Sequence, residues 1–87
     1  MNIRWGRRFK KDIRKLSPKV FSAYLERIEI FARYPFDPVL DNHPLKGVWR
    51  GYRSINITVD WRLIYEQLDV DTIRLTRIGT HHQLFGS

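Results

Sequence analysis

The period of the apolar residues changes from helix-like to strand-like beyond residue 35, and this change constrains the fold more than any other feature of the sequence. From Trp5 to Leu16, apolar residues recur every three or four positions, as they do on one face of an amphipathic helix. Pro18 suits the first position of a second helix, which has similar spacing. That helix is expected to end before Pro35, because the residue preceding a proline is disfavoured in the helical region. The two segments predict an antiparallel helical hairpin.

Beyond the hairpin, the sequence has the character of β-strands. Three runs rich in aromatic and β-branched residues cover positions 49–57, 61–68 and 72–78, and short turns separate them. They predict a three-stranded antiparallel meander. Alternating polar and apolar residues predict a further short strand at 2–5. Residues 35–48 contain three prolines and show no clear period, so a long loop is expected there.

Together these elements predict one domain over residues 1–87 with an α+β fold. The order is β-α-α-β-β-β, and a small antiparallel sheet carries the helical hairpin on one face. The two faces of the sheet are ambiguous, because Arg53 and Arg77 share the parity of the apolar residues in their strands. Either these arginines point toward the helices or a bulge shifts the alternation.

Composition excludes several classes of protein. The chain has no cysteine, which excludes a disulfide framework and a zinc site built from thiolates. It has no run of about 18 apolar residues, so no transmembrane helix and no membrane partner are expected. Residues 1–8 are basic without a following apolar stretch, which does not resemble a secretory signal, and the expected location is cytoplasmic.

The net charge of +7 is unevenly distributed along the chain. Residues 1–34 hold ten basic and three acidic residues, whereas residues 35–87 hold six of each. A basic surface suits a polyanion, because each neutralised phosphate releases a counterion. An acidic protein partner would neutralise the same charge, and a basic face without any partner would simply be solvated by water. Charge alone therefore leaves the partner open.

Residues 76–86 combine several groups that carry chemistry. His81 and His82 have side chains suited to proton transfer near neutral pH. Arg77 matches the geometry of phosphate, and Phe85 can stack on a base. RNA cleavage needs groups of these three kinds. The plain alternative is that these residues share no role and that the apolar ones dock the end of the chain.

Three segments of the sequence resemble a known family. Residues 43–53 have the sequence HPLKGVWRGYR, residues 60–65 have DWRLIY, and residues 77–86 have RIGTHHQLFG. In this order and spacing they resemble the YafQ branch of the RelE/ParE toxin superfamily. Each segment alone is a weak signal, whereas the three in order within 87 residues are specific.

The resemblance implies a RelE-like fold and a toxin of a bacterial type II toxin–antitoxin system. YafQ-like members are ribosome-dependent endoribonucleases that cleave mRNA in the A site without a metal or other cofactor and so inhibit translation. The ribose 2′-OH attacks the adjacent 3′-phosphate and leaves a 2′,3′-cyclic phosphate and a 5′-OH. The implied partners are a cognate antitoxin protein and the 70S ribosome with its mRNA. The toxin is expected to be monomeric within a hetero-oligomeric toxin–antitoxin complex.

The resemblance also implies roles for the matching residues. His81 is the candidate general acid and His43 the candidate general base. Asp60 would orient or polarise an imidazole or assist the proton transfer. Arg77 would stabilise charge on the transition state, and Phe85 would hold a base or shape the pocket. The residues expected to bind RNA or the ribosome are Arg7, Arg8, Lys10, Lys11, Arg14, Lys15, Arg53 and Asn56.

Each of these candidates has a structural alternative. His43 suits a loop residue bonded to the backbone, Asp60 suits local hydrogen bonding at a turn, and Arg77 suits an exposed strand position. His43, His81 and His82 are also compatible with a three-histidine metal site. That site is disfavoured, because adjacent histidines do not easily chelate one ion.

The sequence departs from the family pattern in one strand. Ser54 and Asn56 stand where the familiar toxin has an acid and a histidine of the proposed catalytic set. Asn56 can hydrogen-bond a phosphate but cannot transfer a proton. The chain is therefore expected to use fewer proton-transfer groups.

Two other functions are compatible with the same fold. One is that of a non-enzymatic, ParE-like toxin that inhibits gyrase, and the other is that of a basic nucleic-acid-binding module without toxicity. The combination of His43, Asp60, Arg77 and His81 favours cleavage, because a pure protein binder has no need of paired imidazoles.

Overall fold

In the computed structural model, which describes residues 1–86, a five-stranded sheet carries two helices on one face. The strands are β1 (Asn2–Trp5), β2 (His43–Pro44), β3 (Arg53–Asn56), β4 (Trp61–Asp69) and β5 (Thr72–Thr80). The helices are α1 (Arg7–Arg14), α2 (Pro18–Arg33) and α3 (His81–Phe85). The strand order is β1-β5-β4-β3-β2, in which β1 runs parallel to β5 and the other pairs are antiparallel. The α+β plan is confirmed, with a sheet that is mixed rather than purely antiparallel.

The helical hairpin forms where the apolar spacing predicts it. α2 begins after Ser17, whose side chain caps the first turn. Phe9 of α1 and both Tyr24 and Phe31 of α2 are buried in the core against β3, β4 and β5. Full burial of an aromatic side chain of this size contributes about 1.5–3 kcal/mol. Among residues 1–86, no helix is both long and apolar enough to cross a membrane.

Both alternatives given above for the sheet faces occur: a bulge shifts the alternation before Arg77, whereas Arg53 lies on the helix-covered face. The register of β4 and β5 shifts after Leu75, so that Thr76 is an extra residue in β5. This bulge lets Leu75 and Ile78 both lie in the core, although they are three residues apart. Arg53 does lie on the helix-covered face, directly opposite Tyr65, whose ring packs against α2.

The segment between α2 and β3 is more ordered than the predicted loop. Two 3-10 turns, Pro38–Leu40 and Gly47–Trp49, and strand β2 interrupt it. Leu40 is fully buried and anchors the segment in the core. The first meander strand is shorter than predicted, because the second turn and Gly51, with φ of 93°, bend the chain before β3.

The chain ends in a helix that the predicted order of elements did not include. Thr80 Oγ1 accepts a hydrogen bond from the Gln83 N–H at 3.1 Å, and Gln83 Oε1 accepts one from the Thr80 N–H at 2.9 Å. This capping box starts α3 directly after β5. Leu84 is buried over Gly79, where an added Cβ would lie 3.2 Å from the Leu84 side chain. α3 therefore lies on the sheet face that the hairpin leaves open.

Candidate active site

A cavity of about 250 Å³ opens on the sheet face opposite the helical hairpin. His43 reaches it from β2, where it pairs with Ser54 of β3. His81 and Phe85 reach it from α3, one turn apart, with ring centroids separated by 4.9 Å. We name this cavity the histidine pocket, and its lining residues are Asp41, His43, Leu45, Ser54, Arg62, His81 and Phe85. Both histidines assigned to proton transfer thus lie in one pocket with the candidate stacking ring.

The backbone before β2 orients His43. Its Nδ1 lies 2.7 Å from the carbonyl oxygen of Asp41 and 3.8 Å from the Asp41 carboxylate. When Nδ1–H donates to that carbonyl, Nε2 is the unprotonated nitrogen, which is the form that a general base requires. His43 therefore makes the hydrogen bond to the backbone that was expected of a plain loop residue, and this bond is also compatible with a catalytic role.

Asp41 is a pocket residue that sequence reasoning missed. Its φ of 46° is the one positive value at a residue other than glycine among residues 1–86. Aspartate adopts this left-handed region more readily than most residues, and here it ends the 3-10 turn Pro38–Leu40 just before β2. The available signal was its position two residues before His43 in the same loop.

Asp60 lies beside His81 at the turn between β3 and β4. Its carbonyl oxygen accepts a hydrogen bond from the His81 N–H at 2.8 Å, which fixes the first residue of α3. The side chain is exposed and lines a shallow surface together with Trp61, Thr80, His81 and His82. The structure thus places Asp60 next to an imidazole, outside the histidine pocket.

Arg77 does not reach the histidine pocket. Its Nε donates to Asp12 Oδ2 at 2.7 Å, and its Nη2 donates to Asp12 Oδ1 at 3.4 Å. The same carboxylate accepts a hydrogen bond from the Ile78 N–H at 3.1 Å. The exposed fraction of the side chain is 11% for Asp12 and 21% for Arg77. A partner 65 residues away in the sequence therefore holds the arginine that was expected at the phosphate.

Arg77 instead lines a second cavity of about 400 Å³ between α1 and the end of the sheet. We name this cavity the basic groove, and its lining residues are Arg8, Asp12, Lys15, Leu16, Trp61, Arg77, Ile78 and Gln83. The groove and the histidine pocket are linked across the surface beside Asp60. Trp61 lines both the groove and that surface, and His81 lines both that surface and the histidine pocket.

The residues expected to bind RNA separate into three locations. Arg53 lies on the helix-covered face, where its Nε donates to Asn42 at 2.8 Å and its guanidinium lies 5.4 Å from the Phe36 ring centroid. Asn56 lies under the open face, directly across from Arg62, and its buried Oδ1 has no hydrogen-bond partner within the described part of the chain. The remaining candidates are exposed on α1 or just after it: Arg7, Arg8, Lys10, Lys11, Arg14 and Lys15.

Arg62 is a further pocket residue that sequence reasoning left without a role. Its Nη1 donates to the carbonyl oxygens of Thr58 at 3.0 Å, Val59 at 2.9 Å and Trp61 at 3.1 Å. These contacts hold the guanidinium against the turn between β3 and β4, and the side chain lines the histidine pocket. The signal in the sequence was a charged residue beside the apolar core of β4.

The three-histidine metal site considered above does not form. His43 and His81 line the histidine pocket, whereas His82 lines the exposed surface beside Asp60. Within residues 1–86, no three side chains of histidine, cysteine, aspartate or glutamate are grouped closely enough to hold a metal ion.

Comparison with known proteins identifies relatives of the whole chain. The family model described as the bacterial toxin of type II toxin–antitoxin system, YafQ, matches residues 1–86. The mRNA interferase toxin YafQ of Escherichia coli K12 is 36% identical over 85 residues, which cover 98% of this chain and 85% of that protein. A chain in the crystal structure of the E. coli DinJ–YafQ toxin–antitoxin complex is 34% identical, with a TM-score of 0.70 over 98% of this chain and 97% of that one.

A more distant structure shares the fold alone. A chain in the Mycobacterium tuberculosis RelBE2 toxin–antitoxin complex is 23% identical, with a TM-score of 0.73 over 92% of this chain and 96% of that one. The RelE-like architecture expected from the three sequence segments is therefore confirmed. The chain belongs to the YafQ family of bacterial toxins of type II toxin–antitoxin systems.

Proposed function

We propose that this chain is an endoribonuclease that cleaves mRNA in the A site of the ribosome and thereby inhibits translation. Family membership makes it a toxin, and curated relatives named mRNA interferase toxin YafQ support the reaction class. The observation that carries the proposal is the histidine pocket, which brings His43 and His81 from distant parts of the sequence to one cavity.

The proposed reaction is an intramolecular transesterification. His43 Nε2 takes the proton of the ribose 2′-OH, and the 2′-oxygen forms a bond to the adjacent phosphorus. The bond from phosphorus to the 5′-oxygen breaks, and His81 donates a proton to that oxygen. The products are a 2′,3′-cyclic phosphate and a 5′-OH. Each proton transfer typically contributes about 10²–10⁴ in rate, and the two imidazoles perform both without a cofactor.

The surrounding residues support this reaction in distinct ways. Asp60 holds the N-terminus of α3 through the His81 N–H and so positions the general acid. Phe85, 4.9 Å from the His81 ring, stacks on a base next to the cleaved bond. Arg77 acts with Arg8 from the basic groove on phosphates that flank the cleaved one, since the groove leads past Trp61 to His81.

The proposed partners follow from the same surfaces. The exposed cations of α1, which include Lys10, Lys11 and Arg14, contact ribosomal RNA. A cognate antitoxin with an acidic segment covers them in the inactive complex, as DinJ and RelB are found with the toxins in the structures of relatives. The toxin is monomeric within the hetero-oligomeric toxin–antitoxin complex, and it acts in the cytoplasm, where ribosomes translate mRNA.

The test is cleavage of a defined mRNA by the purified chain, with and without programmed 70S ribosomes, mapped by primer extension. His81→Ala is expected to reduce the cleavage rate by about 10²–10⁴, because it removes the proton donor. His82→Ala is the matched control, since the neighbouring imidazole lies outside the histidine pocket, and it should stay within a few-fold of the parent.

Unchanged cleavage by His81→Ala would remove His81 from the acid role. Growth arrest on expression without any mRNA cuts would refute the nuclease proposal and favour gyrase inhibition. Cleavage of equal rate with and without ribosomes would refute the ribosome dependence.

A further inference from the structure

α3 separates the histidine pocket from the basic groove. His81 and Phe85 are four positions apart, so they share one side of this helix, and both line the histidine pocket. Gln83 lies two positions from each of them, on the opposite side, and lines the basic groove. The short helix thus presents one side to each cavity, and the surface beside Asp60 joins the two cavities around its start.

The basic groove has the composition of a nucleotide site. Its volume of about 400 Å³ lies in the range of pockets that hold small molecules. Three of its lining side chains are cations, namely Arg8, Lys15 and Arg77. The one carboxylate among the described lining residues, Asp12, accepts hydrogen bonds from Arg77, which leaves a net positive charge around the cavity. Trp61 adds an aromatic ring, and a ring among cations suits a nucleotide, because the ring stacks on the base and the cations bind the phosphates.

The capping box fixes the Gln83 amide and determines which of its ends faces the groove. Its Oε1 accepts a hydrogen bond from the Thr80 N–H at 2.9 Å and lies 3.1 Å from the position of a Cβ added to Gly79. The acceptor end of the amide is therefore directed toward the end of β5. Gln83 is exposed, and its Nε2 group bonds no other residue in the part of the chain that the structure describes. The amide thus offers the two N–H donors of Nε2 to a molecule in the groove.

We propose that the basic groove binds a nucleotide of the mRNA close to the cleaved bond and that Gln83 selects its base, a claim that rests on the proposed function. The base stacks on Trp61, and Gln83 Nε2 donates to acceptor atoms on its edge. Guanine presents O6 and N7 as neighbouring acceptors, whereas adenine presents an amino donor beside N7. Glutamine normally reads adenine by donating to N7 and accepting from that amino group. Because the Gln83 acceptor is engaged in the capping box, the groove prefers guanine.

The main test measures base preference around the cut. A set of mRNAs carries each of the four bases at each of the two nucleotides on either side of the cleaved bond. Single-turnover cleavage on programmed 70S ribosomes gives a rate for every substrate. At one of these positions, the parent is expected to cleave guanine about three- to tenfold faster than adenine, the usual effect of one hydrogen bond.

Gln83→Glu changes the donor and keeps the capping box. Glutamate suits the third position of the helix as well as glutamine does, so the melting temperature should stay close to that of the parent. The two donors of Nε2 are replaced by an acceptor, and the preference for guanine over adenine should disappear or reverse. The added negative charge slows cleavage of every substrate, so the ratio of the two rates is the quantity compared. His82→Glu is the matched control: it adds a carboxylate at an exposed position outside the groove and should leave this ratio unchanged.

An abasic nucleotide tests the stack on Trp61. Trp61→Leu should slow cleavage about tenfold for every base at the selective position, because stacking on an aromatic ring is lost. Trp61→Phe should restore most of the rate. When that nucleotide is abasic, the parent and Trp61→Leu should cleave at the same rate. A purely structural role of Trp61 would instead leave the variant equally slow on both kinds of mRNA.

Three results would overturn the proposal. One is a Gln83→Glu variant that retains the parent's ratio of guanine to adenine rates at all of the positions. Another is a parent that cleaves adenine as fast as guanine at each of them. The third is a Trp61→Leu variant that loses as much rate with the abasic mRNA as with the guanine-containing one.

A titration without ribosomes separates this proposal from the nuclease function. The purified chain is titrated with trinucleotides that contain guanine or adenine and carry 2′-O-methyl groups, so that they have no 2′-OH and cannot be cleaved. Binding is followed by NMR through the Gln83 Nε2–H and Trp61 indole signals. Tighter binding of guanine by a parent that cuts no mRNA would support the groove and refute the nuclease function alone. Loss of cleavage in His81→Ala, with an unchanged base ratio in Gln83→Glu, would refute the groove alone.

Discussion

The ion pair between Asp12 and Arg77 is expected to be the most costly polar contact to remove from this chain. Asp12→Ala deletes a carboxylate that accepts two hydrogen bonds from Arg77 and one from the Ile78 N–H. Breaking a fully buried pair by removing one partner costs about 3–5 kcal/mol. Arg77 is 21% exposed and borders the basic groove, so water recovers part of that cost. We expect a loss of about 3 kcal/mol, of which the pair accounts for about half and the unpaired Ile78 N–H for the rest.

A double-mutant cycle measures the pair directly. Arg77→Gln leaves the Asp12 bond to Ile78 in place and should cost about 1.5 kcal/mol. The double variant should cost about 3 kcal/mol, since Asp12→Ala has already removed the pair, which gives a coupling energy of about 1.5 kcal/mol. Arg8→Gln is the control on the same carboxylate: Arg8 Nε lies 3.9 Å from Asp12 and its side chain is 64% exposed, so its loss should cost less than about 0.5 kcal/mol.

Urea unfolding followed by tryptophan fluorescence gives all of these free energies, provided that the denaturant slope is the same for each variant. In a domain of this length, about 3 kcal/mol corresponds to a fall in melting temperature of roughly 12–24 °C. A coupling energy below about 0.3 kcal/mol would refute the assignment of Arg77 to the Asp12 pair. Equal losses for Arg8→Gln and Arg77→Gln would show that burial does not distinguish the two arginines.

Two further predictions concern the core and α3. Burial raises the pKa of Tyr24 above its ordinary value of 10.0, against a smaller opposite effect of a hydrogen bond with Trp5. The unfolded chain therefore ionises first, so that the stability from Tyr24 is complete below pH 10 and falls as pH rises toward the folded pKa. Tyr24→Phe should reduce the fall in unfolding free energy between pH 9 and pH 11, measured by urea titration at each pH. An unchanged fall would contradict this prediction. Gly79→Ala brings a Cβ to 3.2 Å from Leu84 and should cost about 1–3 kcal/mol and lower mRNA cleavage, as α3 is displaced; an unchanged melting temperature and cleavage rate would rule this out.

Features that depend on neighbouring residues were predictable from the sequence. The helical hairpin and the meander follow from apolar spacing and from prolines, because both signals act within a few residues. The capping box that starts α3 was also present in the sequence as Thr80 and Gln83, but the strand pattern runs to Ile78 and leaves no loop to mark the start of a helix. A local signal was therefore missed where two elements meet without a loop.

Features that depend on distant residues were not predictable in the same way. The bulge at Thr76 exists only relative to β4, and it changes which of the later β5 residues face the helices. Asp12 gave no sign in the sequence that it would hold Arg77, since 65 residues separate them. The meeting of His43 and His81 was predicted only through the resemblance to a family, not from their spacing.

The three segments that carry the resemblance meet at one place in the fold, which explains why they are informative together. Residues 43–53 provide His43 and also Trp49, whose Nε1 donates to the Leu84 carbonyl at 3.3 Å. Residues 60–65 provide the Asp60 carbonyl that binds the His81 N–H. A helix as short as α3 has little stability of its own, so these bonds and the buried Leu84 hold it on the sheet.

This attachment makes the site separable from the main core. The hairpin buries Phe9, Tyr24 and Phe31 on one face of the sheet, whereas the histidine pocket lies on the other face, where a loop and a short helix pack over β3 and β4. Elements with few buried contacts open at lower free energy than core strands. Loss of the contact between Trp49 and Leu84 should therefore release α3 and His81 while β4, β5 and the hairpin stay folded. Hydrogen exchange would show this as faster exchange of the Gly86 N–H, which bonds the His82 carbonyl at 2.8 Å, with unchanged protection at Leu63.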